Sequence, residues 1–183
     1  RNVNYTTQVS HVLMYPEGDR ITHRMQELRL DNSDGKVSVY FIPSYLNGDD
    51  GIFGMSYYDL LVGMDLAVFP SYYEPWGYTP LESIAFKVPC VTTDLAGFGL
   101  WVNSELGRYG ELADGVKVVH RTDSNYAGVA NAIEETIYEL SEMGADQVKA
   151  ARAKADKLSK KALWSHFIKY YEKAYDFALR KVQ

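Results

Sequence analysis

The chain has 183 residues, 46% of them hydrophobic and 23% charged, with a formal net charge of −5. That balance describes a folded domain with a sizeable core and disfavours disorder or nucleic acid as the main partner. No apolar run approaches the roughly 20 residues that span a bilayer, so no membrane partner is expected.

Cys90 is the only cysteine, so no disulfide forms within the chain and a reducing, cytoplasmic setting is expected. The chain opens Arg1-Asn2-Val3, without an initiator Met or a signal peptide, and reads as a piece of a longer protein. Nothing in its composition marks a linker, so residues 1–183 are expected to form a single domain. Charge is uneven: residues 145–183 hold ten Lys/Arg against four Asp/Glu, and the rest is acidic. The plain reading of that basic tail is a solvated helix face.

In chain order, residues 2–20 are ambiguous and fit the remnant of a βα unit. "ITHRMQELRL" places Ile21, Met25 and Leu28 at helical spacing. "NSDGK" (32–36) reads as a turn, and "VSVYFIP" (37–43) as a buried strand. A loop, "NGDDG" (47–51), precedes a short helix, "YYDLLVGM" (57–64). The strand "DLAVFPS" (65–71) is followed by a long loop and by a helix, "PLESIAF" (80–86). "VPCVTT" (88–93) is a third strand, leading into the glycine-bearing loop "DLAGFG". "GVKVVH" (115–120) is a fourth. Helices are expected over 126–143 and over a long stretch from 146 to 181, with a break near Trp164-Ser165-His166. Strands alternating with helices predict an α/β fold: a Rossmann-like parallel sheet with helices on both faces and a long helical C-terminus.

The loop "SYYEPWGYTP" (71–80) is the place where chemistry concentrates. In open α/β sheets ligands bind beyond the carboxyl ends of the strands, and this loop follows one. "TPLE" has the pattern of a capping box, with Thr79 as N-cap, Pro80 at the first helical position and Glu82 at the third. Glu82 is then either a capping group or a ligand contact. Gly77, Tyr78 and Thr79 would present free amides at a helix start, which attracts phosphate. Glu74 has no role in capping. It is either an exposed loop carboxylate or, beside aromatic rings, a group that accepts hydrogen bonds from sugar hydroxyls. Trp76 is either a ring at the core rim or one that shapes the loop as part of a donor-binding set with Gly77, Tyr78 and Thr79. No metal site is expected: His11, His23, His120 and His166 are scattered, and "NGDDG" lacks the distant Glu of a calcium loop.

"FPSYYEPWGYTPLESIAFKVPCVTTDLAGFG", with "NGDDGIFGMSYYDLLVGMDLAVF" before it, resembles the C-terminal domain of glycogen synthases of the fungal and animal type. The resemblance is clear over about residues 36 to 101 and looser beyond. It includes the E-x7-E pattern of retaining GT-B glycosyltransferases, here Glu74 and Glu82.

What the resemblance implies is transfer of glucose from a nucleotide diphosphate glucose to the 4-hydroxyl at the non-reducing end of an α-1,4-glucan, with retention. Glu74 would then hold the donor's 3- and 4-hydroxyls, Glu82 would meet the ribose, and Gly77-Tyr78-Thr79 would cradle the diphosphate. Tyr57 would stack on the base, or else pack at a helix start. UDP-glucose is favoured over ADP-glucose, with no cofactor. The N-terminal domain of such an enzyme, and the Arg and Lys of the first βα unit of the C-terminal one, are not in this chain, so no transferase activity is expected of it alone. Where the family carries an arginine-dense regulatory helix, this chain reads "QVKAARAKADKLSKK" with Arg152 alone, so glucose 6-phosphate activation is not expected. Other readings of the same residues are a retaining GT-B transferase with a different sugar or acceptor, and a non-catalytic nucleotide-sugar or glucan-binding module.

Overall fold

The computed structural model describes residues 8–9, 11, 13–30 and 37–181; the turn expected at 32–36 lies outside them. The chain divides into two compact units, Arg1–Leu60 and Leu61–Gln183.

In the first unit, β1 (Gln8–Val9) pairs in parallel with β2 (Tyr40–Phe41). Between them α1 (Arg20–Glu27) is capped by Asp19, whose carboxylate accepts from the Thr22 amide at 2.7 Å. The strand expected over 37–43 is reduced to two residues. α1 buries Met25 but leaves Ile21 and Leu28 half exposed. The loop around residue 50 is more ordered than its composition implies. Asp50 is buried, and its carboxylate accepts from the amides of Ile52, Phe53 and Gly54 at 2.8, 2.7 and 3.2 Å. These bonds, the Phe53 amide foremost, hold its carboxyl below the usual range. α2 (Tyr57–Leu61) closes the unit and stops short of the expected residue 64.

The second unit is a three-stranded parallel sheet in the order β3 (Ala67–Val68), β4 (Cys90–Thr93), β5 (Val116–Val119). Its register pairs Ala67 with Cys90 and Cys90 with Val116. Side chains alternate across a strand, so each strand serves two cores. On one face Cys90, Val116 and Val118 pack with Ile84, Phe98, Val102, Ala155 and Leu158. Those partners lie on α3 (Tyr78–Ala85), α4 (Gly97–Leu106) and α6 (Ala145–Lys161). On the other face Val91 and Val119 pack with Val129, Ala132 and Ile133 of α5 (Tyr126–Glu142). The Rossmann-like arrangement with helices on both faces is therefore what the sequence predicts. Burial in both directions also pushes the Cys90 thiol above its ordinary pKa.

Two expectations are corrected and a third, the break in the C-terminal helical stretch, is met. "DLAGFG" is not a free loop: α4 begins at Gly97, inside it. Glycine is a poor helix former, but here two glycines are needed for close backbone approach. The strands are shorter than the apolar runs that contain them. At β3 the ladder nevertheless reaches further, with Ala67 N donating to Pro89 O and Phe69 N to Val91 O. The C-terminal helical stretch is two helices, α6 and α7 (Trp164–Arg180), separated by Ala162 and Leu163. Leu163 is extended (φ −66°, ψ 147°). The bend falls just before the residue expected, and it lets Leu158 meet the sheet core while Phe167 meets Trp76 and Trp101.

Candidate functional site at the carboxyl edge of the sheet

The loops that leave β3, β4 and β5 meet at one edge of the second unit. The longest, Ser71 to Gly77, is held from several sides. Thr93, the last residue of β4, donates its hydroxyl to Ser71 O at 2.7 Å. Ser71 in turn donates its own hydroxyl to a Glu74 carboxylate oxygen, Oε2, at 3.3 Å. Glu74 pairs with Ala96 as a single parallel bridge: Glu74 N donates to Leu95 O at 3.3 Å, and Gly97 N donates to Glu74 O at 3.0 Å. Phe98 N completes the set on Trp76 O at 2.7 Å.

The β5 loop adds a further support. Arg121 donates to Pro70 O at 2.6 Å, with its guanidinium 5.2 Å from the centre of the Tyr72 ring. Tyr72 is hydrogen-bonded to Asp123, which raises the pKa of its hydroxyl. Asp94 binds the two loops together. Its carboxylate accepts from Arg121 N at 2.9 Å and from the Tyr109 hydroxyl at 3.0 Å, and it contacts His120 Nδ1 at 2.6 Å. Partial burial raises the Asp94 pKa, but these bonds outweigh it and the net shift is downward.

The helix start differs from the expected capping box. Gly77, not Thr79, is the N-cap, and no side chain caps the helix. Gly77 sits at φ 116° and ψ 81°, in the left-handed region open to glycine. That conformation starts the helix two residues early. Pro80 becomes the third helical residue, where its missing N–H still costs nothing. Glu82 moves to the fifth position and has no capping role. Its side chain is half-buried and makes no hydrogen bond among the described residues.

The amides of Gly77, Tyr78 and Thr79 have no protein acceptor among the described residues. Glu74 lies against this turn: a Cβ on Gly77 would stand 3.6 Å from Glu74 Oε2. One carboxylate and three available amides therefore border the same glycine.

The remaining residues singled out in the sequence divide. Trp76 packs in an aromatic cluster, with ring centres 6.0, 5.8 and 5.5 Å from Phe98, Trp101 and Phe167. Tyr78 projects its ring into an open groove of about 410 Å³ shared with Leu81, Trp164 and Tyr171. Tyr57 opens α2 at the end of the first unit, its ring 5.3 Å from that of Tyr58. The supports Ser71, Thr93, Asp94, Gly97 and Arg121 were not legible as such. Gly97 carried a signal nonetheless: a glycine pair flanking Phe98 directly after a strand. Among the described residues no three His, Cys, Asp or Glu side chains are grouped to hold a metal, and no helix is long and apolar enough to cross a membrane.

This unit is thus an α/β domain of the Rossmann-like class, with a carboxylate and a glycine-led helix start at the carboxyl edge of its sheet. Residues 2–183 match the family model described as "Glycogen synthase", and the chain belongs to that family. It is 32% identical over 178 residues to glycogen [starch] synthase isoform 1 of Saccharomyces cerevisiae, covering 94% of this chain and 25% of that protein. It is 29% identical to the glycogen [starch] synthase of Neurospora crassa and 30% identical to the liver enzyme of Mus musculus, in each case over 94% of this chain and 24% of the relative. The chain therefore spans about a quarter of the length of the curated relatives it matches.

Proposed function

We propose that the chain is the donor-binding part of a glycogen synthase-like glucosyltransferase. The full enzyme would transfer glucose from a nucleotide diphosphate glucose to the non-reducing 4-hydroxyl of an α-1,4-glucan, with retention. The observation that carries this reading is the placement of the Glu74 carboxylate beside the Gly77 turn. Available amides at a helix start stabilise negative charge on a diphosphate, in the ground state and more so as the leaving oxygen gains charge. A carboxylate one turn away accepts hydrogen bonds from sugar hydroxyls and fixes the ring relative to that diphosphate.

Glu82, freed from capping, is assigned to the ribose. Trp76 supports the loop from below through its aromatic neighbours. UDP-glucose is preferred to ADP-glucose, no cofactor is needed, and the setting is cytoplasmic. Acceptor contacts come from an N-terminal domain, which fits the share of the relatives' length that this chain covers.

Calorimetric titration of the 183-residue chain with UDP, ADP and a maltooligosaccharide tests the reading. Saturable binding of UDP, tighter than ADP, is expected. Binding of the oligosaccharide with neither nucleotide would instead favour a glucan-binding module.

A further inference from the structure

We infer that Gly97 is a positioning residue for the Glu74–Thr79 loop, acting through the first two amides of α4; its role in donor binding rests on the function proposed above. The first N–H groups of any helix lack partners within it. In α4 those at Gly97 and Phe98 take the carbonyls of Glu74 and Trp76, at 3.0 and 2.7 Å. The helix start is thus spent on a loop.

Such a grip requires the backbone of α4 to lie almost on that of the loop, which only a residue without a Cβ permits. A Cβ on Gly97 would fall 2.1 Å from Pro75 O and 3.2 Å from Trp76 Cα. Backbone atoms cannot swing aside, so a side chain at 97 forces the loop away from α4. Pro75 and Trp76 lie between Glu74 and Gly77, so displacing them moves the carboxylate relative to the amides.

Gly99 supplies an internal control. A Cβ there would also fall 2.1 Å from a carbonyl oxygen, but that of Thr93 at the end of β4. Both substitutions insert the same methyl group into the same helix; Gly97→Ala pushes on the loop itself, Gly99→Ala on Thr93, which holds the loop only at Ser71 O.

Gly97→Ala and Gly99→Ala chains are compared by thermal melting, by residue-resolved amide exchange and by UDP affinity. Both variants should melt lower. Gly97→Ala should speed exchange about tenfold at the Glu74 and Phe98 amides, which bond Leu95 O and Trp76 O, relative to the rest of the sheet edge, and weaken UDP about tenfold. Gly99→Ala, which reaches the loop only through Thr93, should change both by about threefold at most. Equal loosening of the loop by the two variants, or an unchanged loop in Gly97→Ala, would overturn the inference. If Gly97→Ala does not fold, the unsubstituted chain decides: Gly97 and Phe98 amides must exchange as slowly as those in the middle of α4, and solvent-like rates there refute the grip. Should the unsubstituted chain not bind UDP, the donor reading fails while the exchange comparison still tests the positioning.

Discussion

Glu74 and Gly77 act on different parts of the same ligand in the proposed site, so their substitutions separate. Glu74→Ala removes the sugar contact and leaves the amides. A hydrogen bond to a charged group contributes about 1.5–3 kcal/mol. UDP-glucose affinity should therefore fall roughly 10- to 150-fold while UDP stays within about twofold, as calorimetry can show. Gly77→Ala acts on the fold as well. A left-handed conformation costs a residue with a Cβ about 1–2 kcal/mol, and the new Cβ would sit 3.2 Å from Pro80 Cγ and 3.3 Å from Phe98 Cβ. Its melting temperature should drop by several degrees, with UDP weakened too; an unchanged melt would show that the turn is not built as described.

Asp94 makes a prediction about pH. Its pKa is below the ordinary 3.8 in the folded chain. The unfolded chain therefore binds more protons in that window, and stability rises with pH there. The contribution of Asp94 is present above pH 3.8 and lost as the pH falls through the lower folded value. Asp94→Asn should melt lower at neutral pH and lose less of its stability on acidification; an acid profile parallel to the parent's would contradict this.

Helices and strands show where a sequence pattern stops carrying information. Apolar runs located β4 and β5 because burial on both faces leaves no polar alternation to mislead; β3 shows in the same way although its Val68 is exposed. Their ends were less visible, since strand ends depend on which neighbour offers a partner. "TPLE" had the right residues for a capping box, yet the helix starts at Tyr78. The left-handed Gly77 decided that, and a backbone angle is not written in a four-residue motif. α4 went unseen because glycines usually argue against helix, and its two glycines serve contacts 22 and 6 residues away in sequence, at Pro75 and Thr93.

The basic tail is partly paired: Arg152, Lys154, Lys160 and Lys161 meet Asp65, Asp114, Asp156 and Glu105. Arg152 also donates to Met64 O at 2.8 Å, so the one arginine of α6 is engaged in holding the loop before β3. No activation by glucose 6-phosphate is accordingly expected of the full-length enzyme, and a several-fold rate increase with that effector would refute it.

For the molecule as a whole, the class of fold was legible from strand and helix alternation, and the location of the site from one unusual loop. The mutual placement of Glu74 and the turn was not, because it depends on α4 gripping the loop from across β4. The chain covers about a quarter of its relatives, so donor binding and turnover are expected to separate: the 183 residues bind nucleotide without incorporating glucose into glycogen. Incorporation at a rate comparable to a two-domain enzyme would contradict that division.

The most direct measurement is a backbone amide NMR titration of the chain with UDP-glucose. The amides of Gly77, Tyr78 and Thr79 should shift together and saturate along one binding curve, with the Glu74 amide following it for UDP-glucose more than for UDP. Saturable shifts confined to other parts of the chain, with these three amides unmoved, would contradict the assignment of the turn as the diphosphate site.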